Sequence, residues 1–283
     1  MPKFAANLHY LFTELPFLDR IDAAAEAGFK GVEFQVPYDY PGRELRARLD
    51  AHGLQMVLFD APMGDWDAGD RGLAAVPGRE AEFRAGLPKA VEYAQALGCE
   101  LVHVMAGVVG PGVDYKEAER AYVANLRYAA DLFRPHGVNA VIEPINRRLG
   151  VVSGGPSYTT EGMHGYFLNH TEHARRVIEM VGRENLSLHL DVYHMQMLEG
   201  NLAETIRGNI GNLKHLQIAG VPGRHEPSVG EINYPYLFDL LDELGYAGWV
   251  GCEYRPLGKT LDGLGWAARF GIGRRTAAAI SQA

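Results

Sequence analysis

The sequence predicts an α/β fold, a single (β/α)8 barrel in which parallel strands and helices alternate until the sheet closes on itself. Three observations lead there. Eight short apolar runs recur along the 283 residues, and longer segments with helical spacing lie between them. The first run is not followed by the glycine-rich phosphate turn that an open doubly wound sheet would carry. The length also suits such barrels, which typically need about 250 residues.

The elements can be taken in order. The first strand is expected at Phe4–Leu8, running into His9-Tyr10-Leu11-Phe12 without a glycine. The next seven are expected at Val32–Val36, Gln55–Phe59, Leu101–Ala106, Ala140–Ile145, Leu186–Val192, Leu213–Ala219 and Trp249–Tyr254, each apolar or alternating. Between strands, residues such as Leu126, Ala129, Ala130 and Phe133 fall on one face of a helix. Gly28, Gly53, Gly98, Gly137 and Gly245 each precede a strand and are read as helix stops, where glycine accepts the left-handed conformation. The Gly/Ala/Arg-rich tail after Trp266 reads as a last helix with a frayed end. No composition shift or linker divides the chain, so residues 1–283 are expected to form one domain with a long loop after strand five, about 147–165.

Hydrophobic residues make up 47% and charged residues 22%, the balance of a chain that buries a sizeable core. Twenty-seven basic against 35 acidic side chains give a net charge of −8, which repels a polyanion, so nucleic acid is not an expected partner. Neither a signal core nor an apolar stretch of about 18 residues is present, and no membrane partner is expected. Cys99 and Cys252 lie far apart in apolar surroundings, which fits a reducing cytoplasm better than a disulfide framework. Asn169-His170-Thr171 matches a glycosylation acceptor, a triplet frequent by chance. The oligomeric state, monomer or homo-oligomer, is left open.

In barrels of this kind the site is built at the C-terminal ends of the strands. Strand five ends in Val141-Ile142-Glu143-Pro144-Ile145-Asn146, strand six in His189-Leu190-Asp191-Val192-Tyr193-His194, strand seven in His215-Leu216-Gln217-Ile218-Ala219 and strand eight in Cys252-Glu253-Tyr254-Arg255. Taken singly, any of these polar residues could face solvent or cap the next helix. Taken together, Glu143, Asp191 and Glu253 would bury three carboxylates side by side, at a cost of several kcal/mol each without a cation. With the amide oxygen of Gln217 they form an all-oxygen set suited to one divalent ion, Mg2+ or Mn2+, whereas a dedicated zinc site more often recruits His or Cys.

The segments Glu143-Pro144-Ile145-Asn146, Asp191-Val192-Tyr193-His194-Met195-Gln196, His215-Leu216-Gln217-Ile218-Ala219, Gly223-Arg224-His225-Glu226-Pro227, Gly230-Glu231-Ile232-Asn233-Tyr234-Pro235 and Gly248-Trp249-Val250-Gly251-Cys252-Glu253-Tyr254 resemble the hydroxypyruvate isomerase family of the xylose-isomerase-like barrels. Ala5-Ala6-Asn7-Leu8 and His103-Val104-Met105-Ala106-Gly107 extend the resemblance over nearly the whole chain. It implies that Glu143, Asp191, Gln217 and Glu253 ligate the metal and that Glu143 and Glu253 transfer protons. It also implies substrate contacts from His194 and from the turn carrying Arg224 and His225, where Arg224 would offer a fork to a carboxylate. His103, on the end of strand four, is a further candidate for substrate binding. Each has a plain alternative: His103 or His194 as a satisfied core histidine, His225 as an exposed loop residue, Arg224 as a partner of Glu226. Tyr38, Trp66, Tyr158 and Phe167 lie in loop-like regions and are more readily read as core than as pocket wall.

The expected reaction is isomerisation of hydroxypyruvate to 2-hydroxy-3-oxopropanoate (tartronate semialdehyde) through a cis-enediolate, with no organic cofactor and a small hydroxy-carbonyl acid or sugar as partner. Rivals on the same site are a 2-oxo-tetronate isomerase and a ketose 3-epimerase, the latter usually carrying His where this chain has Gln217. A DNA-repair endonuclease would need His-rich zinc ligands and a basic groove, and the strand ends read as poor in His. A non-catalytic sugar-binding barrel is opposed by the presence of both Glu143 and Glu253. One departure from the family is the long Gly-rich passage from Arg147 to Gly165, whose glycines suit a lid over the site, or a surface insertion.

Overall fold

The computed structural model describes residues 1–148 and 163–273. Its eight strands close in sequence order into a parallel barrel: β1 Lys3–Asn7, β2 Gly31–Glu33, β3 Gln55–Asp60, β4 Leu101–His103, β5 Asn139–Ile142, β6 Leu186–Asp191, β7 Leu213–Ile218 and β8 Trp249–Cys252. Helices α1 Phe17–Glu26, α2 Gly42–His52, α3 Glu80–Leu97, α4 Tyr115–Phe133 and α5 Thr171–Val181 supply the first five crossovers. Two short helices, α6 Val192–Leu198 and α7 Leu202–Asn209, share the sixth, and α8 Tyr234–Glu243 makes the seventh. Gly53 and Gly98, expected as helix stops, both take φ 62.

Parallel strands wrapped by helices are covered on both faces, so every residue of β6 is buried. Leu186, Leu188 and Leu190 join the large core between sheet and helices. The alternate residues Ser187, His189 and Asp191 therefore point into the barrel. A smaller apolar cluster of Ala5, Val57, Leu58 and Val141, with Leu101 and Trp249 packed on it, draws its members mainly from alternate strands, as a barrel layer does. Gly31 leaves room for it, since a Cβ there would meet the Trp249 ring and Val57 at 2.8 Å.

Four elements differ from expectation, one of them β5, which ends at Ile142 instead of Ile145: Pro144 has no N–H for the ladder, and Ile145 N donates to Leu168 O at 3.0 Å. The register between β2 and β3 shifts at Val32/Glu33, and β2 ends there instead of reaching Val36. β4 stops at His103, because residues beyond it bond to the loop after β3: Ala106 bridges Gly72, and Ala75 N donates to Ala106 O at 2.7 Å. The last helix is a 3-10 helix at Thr260–Phe270, earlier than the tail after Trp266, and Gly263 and Gly265 disfavour a continuous α-helix there. Residues 274–283 lie outside the described residues. So does most of the expected lid, 149–162, although Met163 N donates to Asn146 O at 2.8 Å and ties the base of that loop. Among the described residues no helix is long and apolar enough to cross a membrane.

Candidate active site

Because side chains alternate along each strand, every strand of the barrel delivers a polar group to its C-terminal mouth. Asn7, Glu33, Asp60, His103, Glu143, His189, Gln217 and Glu253 come from β1 to β8 or the residue just after them, and all eight line one cavity. Phe34, Met63, Trp66, Ile145 and Met163 supply its apolar wall. Of the aromatics considered from sequence, Trp66 alone is on that wall. Tyr38 donates to Asp60 O at 2.7 Å, Phe167 packs on Tyr122 and Tyr115, and Tyr158 falls outside the described residues.

Glu143 is 5% exposed, and its Oε1 has no hydrogen-bond partner among the described residues. Three imidazoles surround it at longer range: His194 Nε2 is 3.8 Å from Oε1, while His189 Nδ1 and His103 Nε2 are 3.7 and 3.9 Å from Oε2. Burial pushes the Glu143 carboxyl well above the usual carboxylate range, and the charges of Glu253 and Asp191 push the same way.

Glu253 is held on both oxygens, Oε1 by Gln35 Nε2 at 2.6 Å and Oε2 by Arg224 Nη2 at 2.5 Å. Asp191 serves two purposes at once. Its Oδ1 accepts from Tyr193 N at 2.8 Å and caps α6, while its Oδ2 accepts from Arg224 Nη2 at 2.6 Å. Burial raises both carboxyls, and Arg224 opposes the shift.

The expected fork for a substrate carboxylate is thus turned inward. Arg224 is 1% exposed, in a left-handed turn at φ 56, between the rings of Tyr10 and Tyr193. Buried anions need a counter-charge, and the guanidinium between Asp191 and Glu253 supplies it. His225 is not brought to the cavity wall; its Nδ1 lies 2.9 Å from Arg255 O.

The ring protons can be placed from the network. Arg148 N donates to Asn146 Oδ1 at 2.9 Å, which turns the Asn146 amide nitrogen toward His194 Nδ1 at 2.7 Å. Nδ1 of His194 then accepts, and burial keeps the ring neutral by holding its pKa well below 6.5. Its proton sits on Nε2, 3.8 Å from Glu143 and 3.6 Å from Asp191. Such an Nε2–H is a donor into the cavity.

Among the described residues, two groups of His, Asp or Glu could hold a metal, Glu143 with Asp191 and His194 (once Nε2 of His194 gives up its proton) and His103 with Glu143 and His189; the expected ligand Glu253 belongs to neither group. Each contains histidine, so the strand ends are richer in imidazole than the sequence reading allowed. Strand alternation explains it, since His189 precedes Asp191 by two residues and His215 precedes Gln217 by two, and each pair faces inward together. Glu33, Gln35, Asp60 and Asn7 were also missed; the same period-two reading of β1 to β3 would have found Glu33 and Asn7.

Comparison with known proteins adds the following. Residues 21–270 match the family described as Xylose isomerase-like TIM barrel. The chain is 49% identical over 266 residues to the 2-oxo-tetronate isomerase of Cupriavidus necator, covering 94% of this chain and 97% of that one. It is 43% identical over 266 residues to the hydroxypyruvate isomerase of Escherichia coli, covering 94% and 98%. A crystal structure described as AP endonuclease, family 2, from Brucella melitensis superposes with a TM-score of 0.89 at 47% identity, covering 95% and 99%.

Proposed function

The chain belongs to the xylose isomerase-like TIM barrel family and is an isomerase, and from that premise we propose that it moves a carbonyl between C2 and C3 of a short 2-oxo-3-hydroxy acid, hydroxypyruvate to 2-hydroxy-3-oxopropanoate, through a cis-enediolate. The observation that carries this reading is the pair Glu143 and Glu253, two buried carboxyls that enter one cavity from β5 and β8. Removing a proton from one carbon and returning it to the next needs a base and an acid at that distance from bulk water.

A single divalent ion fits these residues. Glu143 keeps one buried oxygen without a partner among the described residues, and both groups that could hold an ion mix carboxylates with imidazoles, a donor set that Mn2+ accepts. Glu143, Asp191, Gln217 and Glu253 would hold it, with the neighbouring imidazoles favouring Mn2+ over Mg2+. When bound, such an ion supplies Lewis acidity that lowers the energy of the developing enediolate oxygens.

The remaining work falls to the chain itself. One glutamate takes the proton from carbon and the other serves the opposite face of the substrate. Each is buried on the cavity wall, so either can reach the substrate without competition from bulk water. His194 Nε2–H is placed to donate to a substrate oxygen, and Phe34, Met63 and Trp66 keep water from an enediolate that would otherwise pick up protons at random.

A second reading on the same site extends the substrate by one carbon. It is favoured by 46–49% identity to three proteins named 2-oxo-tetronate isomerase, against 43% to the Escherichia coli hydroxypyruvate isomerase. The endonuclease name belongs to the Brucella protein; the net charge of −8 speaks against a nucleic-acid substrate here. Proton NMR in D2O, after chelation and add-back of Mg2+, Mn2+ or Zn2+, tests both readings. Metal-dependent deuterium uptake by hydroxypyruvate or by a 2-oxo-tetronate names the substrate. Uptake by neither compound would sink the proposed reaction.

A further inference from the structure

Below the glutamate pair, Glu33 lies 1% exposed on β2, far from solvent and outside the proton-transfer scheme. Its Oε1 accepts from Gln217 Nε2 at 2.6 Å and from Asn7 Nδ2 at 3.0 Å, and its Oε2 stands 2.7 Å from His215 Nε2, off the axis of a hydrogen bond. The carboxylate reaches Gln217 by lying over Gly251 of β8, the register partner of Gln217. A Cβ at Gly251 would fall 2.3 and 2.4 Å from the two Glu33 oxygens. A real side chain at 251 would therefore push the Glu33 carboxylate from its place, so glycine there is what lets Glu33 take this position.

This matters because an amide has two unlike ends. Gln217 can present oxygen to a cation only if its nitrogen is committed elsewhere, and an ionised carboxylate can only accept. With Nε2 held by Glu33, Oε1 of Gln217 takes a bond from His189 Nε2 at 2.7 Å and keeps its second lone pair. We propose that Glu33, seated over Gly251, is a positioning residue that sets which end of Gln217 faces the cation. The inference rests on Gln217 being a ligand through Oε1.

Mn2+ affinity of the full chain, measured by calorimetry, tests it without reference to turnover. Gln217→Ala and Glu33→Leu are each expected to weaken binding by about 10- to 100-fold, the usual effect of losing a ligand or its orienting partner. The double variant should lose little beyond Gln217→Ala alone, a non-additivity that a general loss of packing would not give. Glu33→Gln should stay close to the parent, because the Asn7 Nδ2 donor pins an acceptor oxygen at the place of Oε1, where it can still take the Gln217 Nε2 bond. Gly251→Ala should weaken binding in the same direction as Glu33→Leu. Parent-like affinity in Gln217→Ala would overturn the ligand reading itself. Weakened binding there with parent-like binding in Glu33→Leu would overturn the positioning role alone. If Glu33→Leu does not fold, equal affinities in Gly251→Ala and Glu33→Gln overturn it instead.

Discussion

Asp191 and Glu253 share one guanidinium, and Glu143 has none, so the carboxyls of this site stand in different electrostatic states. Arg224→Met should strand two buried anions and cost about 3–5 kcal/mol, read as a lower urea midpoint with unchanged slope. Glu143→Gln and Glu253→Gln should each keep measurable metal binding and lose turnover by roughly 10²-fold or more. Their stabilities should differ. Glu253→Gln breaks a held pair and destabilises the fold, whereas Glu143→Gln removes a buried charge with an unpartnered oxygen and leaves stability equal or raised. An equal loss of stability in both would contradict the assignment of Arg224. At this scale the sequence made it legible that Glu143, Gln217 and Glu253 would face one cavity, because strand ends in a barrel converge. The inward turn of Arg224 was not legible, because it depends on a left-handed residue and on two aromatic rings distant in sequence.

Elements tell a similar story. Alternating strand and helix, and glycine stops such as Gly53 and Gly98, follow local rules of backbone conformation and could be read directly. The early end of β4 could not, because it is imposed by a partner more than thirty positions upstream, the loop holding Gly72. That loop and the one after β4 interlock: Gly107 has φ 104, and a Cβ on it would lie 2.4 Å from Gly72 O. Arg71 stacks 3.7 Å over Trp66 in the same loop, fixing the indole against the cavity. Gly107→Ala should therefore cost about 1–3 kcal/mol through backbone strain and raise KM. Trp66→Ala should raise KM more than it lowers kcat, since the indole shapes the wall without touching a proton in transit. A Trp66→Ala enzyme with parent KM would place the substrate elsewhere in the cavity.

For the molecule as a whole, buried imidazoles tie stability to pH. Burial pushes His9 down from 6.5 to about 4, with the Gln35 hydrogen bond opposing, and burial likewise takes His173 to about 4, helped by the charge of Arg176. The unfolded chain protonates these rings first, so the stability they contribute is complete above pH 6.5 and drains away as pH falls toward 4. For His9 the loss is on the order of 3 kcal/mol. Urea midpoints measured across that window should fall on acidification, and less so in His9→Asn; an unchanged slope in that variant would remove His9 from the account. The closure of β8 against β1 carries a different consequence, one for synthesis. Gln35 and Glu253, joined over the end of β1, are separated by 218 positions, so the cavity is completed only when the last strand leaves the ribosome. Until then the side of β1 that will receive Trp249–Cys252 is an open edge, a template for any passing strand. Translation halted just before Trp249 should yield aggregates where the finished chain does not, and the need for chaperone cover should peak in that interval.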